Sequence, residues 1–302
     1  MCSCLYEPLI VKDIMLNPDF NRARDFIYSN ARLIERHLFS FQFEDGAADM
    51  VERALSGYQH ANRLFGFGLE PDKRASAPQP VDQAFAMEIL DAIGASRGRF
   101  EAICDSLHHL TNADGGLPFS HQSVEAAPHA AWWACASSQP SSINPTGIIL
   151  SFLWKSGLDH PWMKNAEAFC WDALNQLQPT SAHSIQNGLA FLAAHPDQQR
   201  AGQAFKGLRE LVRGATCFDP QSEEYVFSPL IFAPSPKSPA TRFFSNDEIQ
   251  PHLQFMISQQ QEDGGWPINW PPLSQGVMSE CRAIVTLRNL NILRAYNCLK
   301  GV

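Results

Sequence analysis

The sequence predicts an all-α protein of about six helical hairpins, and three observations predict it. Apolar residues recur at helical spacing along most of the 302 residues, and alternation of β-branched residues is nearly absent. The 21 prolines fall largely between the periodic stretches, where they stop helices. Finally, a motif with paired glycines returns at a step near 50 residues, one long hairpin per step, so that about six hairpins fill the chain and can close a ring of helices. Nothing resembles a flexible interdomain linker, so one domain over residues 1–302 is expected.

The elements follow in order. Residues 19–43 carry Phe20, Ala23, Ile27, Ala31, Ile34 and Leu38 on one stripe and read as a helix. Residues 81–93 do the same through Ala84, Phe85, Ile89, Leu90 and Ile93. Helices are likewise expected over 100–110, 146–154, 166–177, 184–194 and 249–260. Over 280–299, Ile284, Leu287, Leu290, Leu293 and Tyr296 make the last stripe. Two loops stand out. Residues 137–145 offer an N-cap to the helix that follows, and residues 228–239 are too apolar and proline-stiffened for a floppy linker, which suits an ordered loop such as a lid.

Composition excludes several classes. With 45% hydrophobic residues the chain can fill a core and is not disordered. Lys and Arg total 23 against 31 Asp and Glu, a net charge of −8 with no basic run, so nucleic acid is not an expected partner. The longest apolar run, residues 147–154, is cut off by Lys155 and is far too short to span a membrane, which leaves peripheral contact as the one compatible membrane role. The first seven residues lack a basic start followed by an apolar stretch, so no secretion signal is expected and the protein reads as cytoplasmic. Eight scattered cysteines without a CxxC pair read as reduced, mostly buried thiols; Cys2 and Cys4 are the pair that could meet a metal.

The paired-glycine turns are Gly66-Phe67-Gly68, Asp114-Gly115-Gly116 and Asp263-Gly264-Gly265. Asp before Gly-Gly at a helix boundary accepts free backbone N–H groups while glycine takes positive φ, which gives both aspartates a structural reading.

The last copy, Gln261-Glu262-Asp263-Gly264-Gly265-Trp266, preceded by Phe255 and Gln259, resembles the QW motif of squalene and terpene cyclases and of protein prenyltransferase β subunits. The order of Gly66 to Asp72, Asp114 to Phe119, Trp132-Trp133, Asn144 to Gly147 and Asp263 to Pro267 is similar to short bacterial proteins of that superfamily, among them monodomain class II terpene cyclases acting on prenylated aromatics. The resemblance implies a single-domain α/α barrel, or toroid, with a central apolar cavity. It also implies a meroterpenoid cyclase, in which protonation of an isoprenoid alkene or epoxide starts carbocation cyclisation. Two departures stand against it: there is no Asp-x-Asp-Asp tetrapeptide, and no Asp-x-Cys step with a suitable His for prenyltransferase zinc.

Such an enzyme needs a carboxylic acid kept protonated by an apolar site, and aromatic faces to hold the cation. On that footing Asp114 is the expected acid, because it departs from the QW pattern, with His121 or His129 to orient it. Asp72 and Asp82 compete, although Asp72 reads as a solvated turn beside Lys73 and Arg74 and Asp82 as a helix cap; Glu70 could line a cavity mouth. Phe119, Trp132, Trp133, Phe227, Phe243 and Trp270 are expected around the substrate, and Tyr225 as a final base or polar contact. Arg282, Arg288 and Arg294, six residues apart, do not hold one helix face and make no phosphate clamp. No cofactor is implied, with Mg²⁺ relevant only to a diphosphate substrate, and the partner is a hydrophobic isoprenoid or prenylated aromatic. The competing class is a non-catalytic lipid- or partner-binding barrel; a glycan enzyme would need facing carboxylates in an open polar groove, against which the Phe-rich loops argue.

Overall fold

The structure is a computed structural model that describes residues 18–299. Cys2, Cys4 and the N-terminal stretch read above lie outside the described residues. Apart from two-residue strands at Leu117–Pro118 and Ser141–Ser142, paired antiparallel, regular structure among the described residues is helical. In chain order the helices are α1 (Phe20–Asn30), α2 (Leu33–Phe43), α3 (Ala48–Ser56), α4 (Pro80–Ala92), α5 (Arg97–Cys104), α6 (Ile143–Lys155), α7 (Pro161–Leu174), α8 (Ala182–Ala194), α9 (Gln198–Gly207), α10 (Arg209–Gly214), α11 (Pro229–Phe232), α12 (Asn246–Ser258) and α13 (Gln275–Ala295), with short 3₁₀ turns between some of them. Among the described residues no helix is long and apolar enough to cross a membrane.

The expected helix over 19–43 is two helices. Ala31 and Arg32 are extended, and the Arg32 guanidinium holds Glu35 and the carbonyls of Gly68 and Leu69, so the break ties α2 to the loop after Gly66. The expected loop 228–239 is not a lid. Its α11 buries Leu230 and Phe232, and the Ala233 carbonyl accepts the buried Tyr296 hydroxyl at 2.8 Å. Helices α3, α9 and α10 carry short stripes that the wider periodic windows passed over.

Packing runs along the chain: α6 lies against α4, α7 and α8, α8 against α9, and α2 against α1 and α3. It also runs from one end of the chain to the other, since α13 packs on α1 and α2. One hydrophobic cluster reaches from Ala23 to Cys298.

The glycine turns at 114–116 and 263–265 are the same device built twice. Gly115 and Gly264 have φ of 88° and 89°. Asp114 Oδ1 accepts the Gly116 N–H at 3.0 Å and Asp263 Oδ1 the Gly265 N–H at 3.1 Å. The next N–H donates to a threonine hydroxyl on the following long helix, Leu117 to Thr146 on α6 and Trp266 to Thr286 on α13. Each glycine pair lies on another helix at positions four apart. A Cβ on Gly115 or Gly116 would meet Asn165 or Phe169 of α7; on Gly264 or Gly265 it would meet Arg22 or Phe26 of α1. Thus α1 stands to α13 as α7 stands to α6. Gln260 completes the joint by accepting the Asp19 N–H at 2.7 Å and donating to the Asp19 carbonyl at 2.8 Å.

Candidate active site

A cavity of about 650 Å³ opens between α4, α6 and α8 and the loops beyond their N-terminal ends, a volume ordinary for a small-molecule site. Helical spacing builds its walls. Val81, Ala84, Phe85 and Glu88 form one face of α4, Asn144 and Ile148 one face of α6, and His183, Gln186 and Asn187 one face of α8. The loops add Glu70, Asp72, Phe119, Trp132, Trp133, Tyr225, Asn269, Trp270 and Pro271. A short antiparallel pairing positions two of those loops. Lys73 bridges His129, the Arg74 N–H donates to the Pro128 carbonyl, and the Ala130 N–H donates to that of Asp72.

Asp72 and Glu70 are the cavity's buried carboxyl groups, at 5% and 7% exposed. Asp72 Oδ2 accepts the Trp270 indole N–H at 3.1 Å and Oδ1 faces the Cys281 thiol at 3.7 Å. Burial raises the Asp72 pKa against the opposing help of those two donors. Burial pushes the Glu70 carboxyl up to about 8, and Oε2 has no partner. The one cation beside it is already committed, since fully buried Lys73 is paired with fully buried Asp82. Asp82 also accepts the Glu70 N–H at 3.0 Å, so it neutralises Lys73 and pins the loop. Farther along α4 Glu88 is exposed and lines the cavity, and desolvation raises its pKa too.

Phe119 and Trp133 stack at 4.6 Å between centroids with 9° between planes. Tyr225 meets the Trp270 ring edge-on at 6.0 Å, and its hydroxyl lies 3.1 Å from His183 Nε2. Burial lowers the His183 pKa, with a further push from the Arg288 charge, which favours the neutral imidazole.

The structure therefore brings Phe119, Trp132, Trp133, Tyr225 and Trp270 together in one cavity wall. It puts Asp114 elsewhere. That side chain is exposed, does not line the cavity, and spends Oδ1 on the Gly116 N–H and the Ser141 hydroxyl at 2.6 Å. His129 points its Nδ1 at the Ala127 carbonyl, 2.8 Å away, and serves the pairing with Lys73. His121 is exposed and caps a 3₁₀ turn. Phe227 and Phe243 are buried in the core, against His183 and Phe232 in one case and Phe205 in the other. Asp72 is no solvated turn residue and Asp82 no helix cap; both are buried. Sequence reasoning passed over Glu88, His183, Gln186 and Asn187, although their spacing on α4 and α8 was legible. Among the described residues no cluster of three or more His, Cys, Asp or Glu side chains is placed to hold a metal ion.

No family model matches the chain, and no curated protein matches it. Among solved structures it is similar to the crystal structure of a protein from Actinoplanes, with 14% identity and a TM-score of 0.54, over 92% of this chain and 98% of that one. At that identity the likeness shows a shared fold.

Proposed function

We propose that this protein is a class II terpene or meroterpenoid cyclase with an α/α-barrel fold, and that Asp72 is its proton donor. The observation that carries the reading is a buried carboxyl group, held by Trp270 and Cys281, at the wall of an aromatic cavity. The packing of α13 on α1 through the same joint that links α6 to α7 supports closure of the helices into a barrel.

An alkene is a poor base, so its protonation requires an acid that is protonated at neutral pH and whose conjugate base is stabilised once the proton has gone. Burial pushes the Asp72 carboxyl toward its protonated form, and the indole and thiol donors stabilise its conjugate base. The proton of Asp72 forms the new C–H bond while the alkene π electrons leave a tertiary cation. The stacked Phe119–Trp133 pair and Trp132 offer π faces to that cation. Ring closure moves the charge along the chain. His183, neutral and linked to the Tyr225 hydroxyl, takes the final proton, restoring an alkene of unchanged mass.

The test is incubation of the parent, Asp72→Asn, Glu70→Gln and Asp114→Asn with prenylated hydroxybenzoates, followed by a search for isomers of equal mass. Isomer from the parent and the Asp114 variant, with loss in Asp72→Asn, is expected. Full activity in Asp72→Asn would move the acid to Glu70. Tight lipid binding with no isomer from any protein would make the chain a binding protein.

A further inference from the structure

The ionisable side chains of the cavity wall are Glu70, Asp72, Glu88, His183 and Tyr225, and among the described residues no lysine or arginine lines it. The cations whose charges reach Glu70 and Asp72 are engaged elsewhere: Lys73 is paired with Asp82, and Arg74 donates to Glu280 at 2.8 Å. Glu70 is only 7% exposed, and its Oε2 has no partner. Exposed aromatic rings stand beside these carboxyl groups. Trp132 and Tyr225 are 43% and 55% exposed although both belong to the wall. The Tyr225 and Trp270 rings meet at 89° and form two sides of a corner, where the Trp270 indole N–H holds the Asp72 carboxyl at 3.1 Å. The Ala130 N–H, two residues before Trp132, donates to the Asp72 carbonyl and ties that ring to the same loop. One cation already sits on an aromatic face here, since the Lys73 ammonium lies 5.5 Å from the Trp133 centroid.

We infer that the cavity selects a cationic amphiphile, its ammonium group seated between the Asp72 and Glu70 carboxyls and the rings of Trp132, Tyr225 and Trp270. The alkyl chain lies along Val81, Ala84 and Phe85 of α4 and Ile148 of α6. An aromatic face attracts a cation through its quadrupole, and the attraction grows as water is excluded. Burial raises the pKa of both carboxyls, and an opposite charge within about 4–6 Å restores their ionised form, so ligand and wall neutralise each other. An anionic head group meets three carboxyls and no lysine or arginine to receive it. The inference goes beyond the cyclase reading: it makes amines ligands of this chain whether or not the chain cyclises anything.

Three tryptophans in the wall, Trp132, Trp133 and Trp270, make binding readable by fluorescence quenching without turnover. The full chain is titrated, below micelle-forming concentrations, with decyltrimethylammonium, decanol and decanoate, which share a chain and differ in charge. The parent should bind the ammonium about 10- to 100-fold more tightly than the alcohol, and decanoate more weakly than either. Asp72→Asn should lose about tenfold or more of the ammonium affinity and none of the alcohol's, and Trp132→Leu, at an exposed position, about two- to fivefold. Equal affinity of the parent for ammonium and alcohol, or tighter binding of decanoate, overturns the inference whether or not the variants fold. Undiminished ammonium affinity in both folded variants overturns it too, by placing the cation on the acidic surface instead. The two readings separate cleanly: a parent that cyclises yet prefers decanoate keeps the proposed function and loses this ligand, whereas one that holds the ammonium and forms no isomer does the reverse.

Discussion

Replacing Glu70 by Gln should stabilise the protein increasingly as pH rises. In the unfolded chain this carboxyl ionises near its ordinary value of 4.5; in the folded protein burial holds the proton to about 8. Between those limits the folded state binds one proton more than the unfolded state. Stability contributed by the protonated form is therefore complete below pH 4.5 and is lost as pH climbs toward 8, with a limiting slope of about 1.4 kcal/mol per pH unit. Lys73 cannot reverse the sign, because its ammonium is paired with Asp82. Gln has the same shape and no charge, so the variant escapes this loss. Urea unfolding of both proteins from pH 5.5 to 7.5 should show the difference, variant minus parent, growing by about 2–3 kcal/mol. A difference independent of pH would mean that Glu70 ionises normally in the folded state. Glu70 would then be a solvated group rather than a buried, protonated acid.

Lys73→Met should cost about 3–5 kcal/mol by leaving Asp82 charged and alone at 0% exposure, and the double change Lys73→Met with Asp82→Leu should recover most of it, read by chemical denaturation. Gly264→Ala sets a Cβ 2.1 Å from the Arg22 carbonyl at a φ of 89° and should lower stability by about 2–4 kcal/mol, whereas Gly98→Ala, inside α5 with nothing within 4 Å, should raise it by about 0.5–1 kcal/mol; thermal melts of the two variants check both. Asp114→Asn should leave cyclisation intact and change stability little, because the Asn Oδ1 still accepts the Gly116 N–H, whereas Asp114→Ala should cost about 1 kcal/mol through the turn, as measured by product formation and a melt.

The helical class and the repeated turn were legible in the sequence because both depend on local order. A 3.6-residue stripe and an Asp-Gly-Gly turn are written in consecutive residues. The aromatic wall was legible for a related reason, since Trp132, Trp133 and Trp270 lie in loops that no helix stripe claims. The acid was not legible. Asp72 sits beside Lys73 and Arg74, the setting of a solvated turn, and its burial comes from partners far along the chain: Trp270 and Cys281, 198 and 209 residues away. Asp114 misled for the opposite reason, because nearby histidines and tryptophans in sequence diverge in space once the Pro128–Ala130 segment pairs with Asp72 and Arg74. The Lys73–Asp82 pair was hidden likewise, since a lysine nine residues from an aspartate announces no burial.

The joint between α1 and α13 also has a consequence in time. Asp19 and Gln260 are 241 residues apart, so the partner that seats α1 leaves the ribosome 241 residues after it. At roughly 5–20 residues per second, α1 waits on the order of ten to fifty seconds for it. Throughout that interval Phe26 and Ile27, 2% and 0% exposed in the finished protein, have no final cover. The nascent chain thus carries an apolar helix without its final cover through that interval, and its yield in a cell depends on what shields that helix until Gln260 arrives.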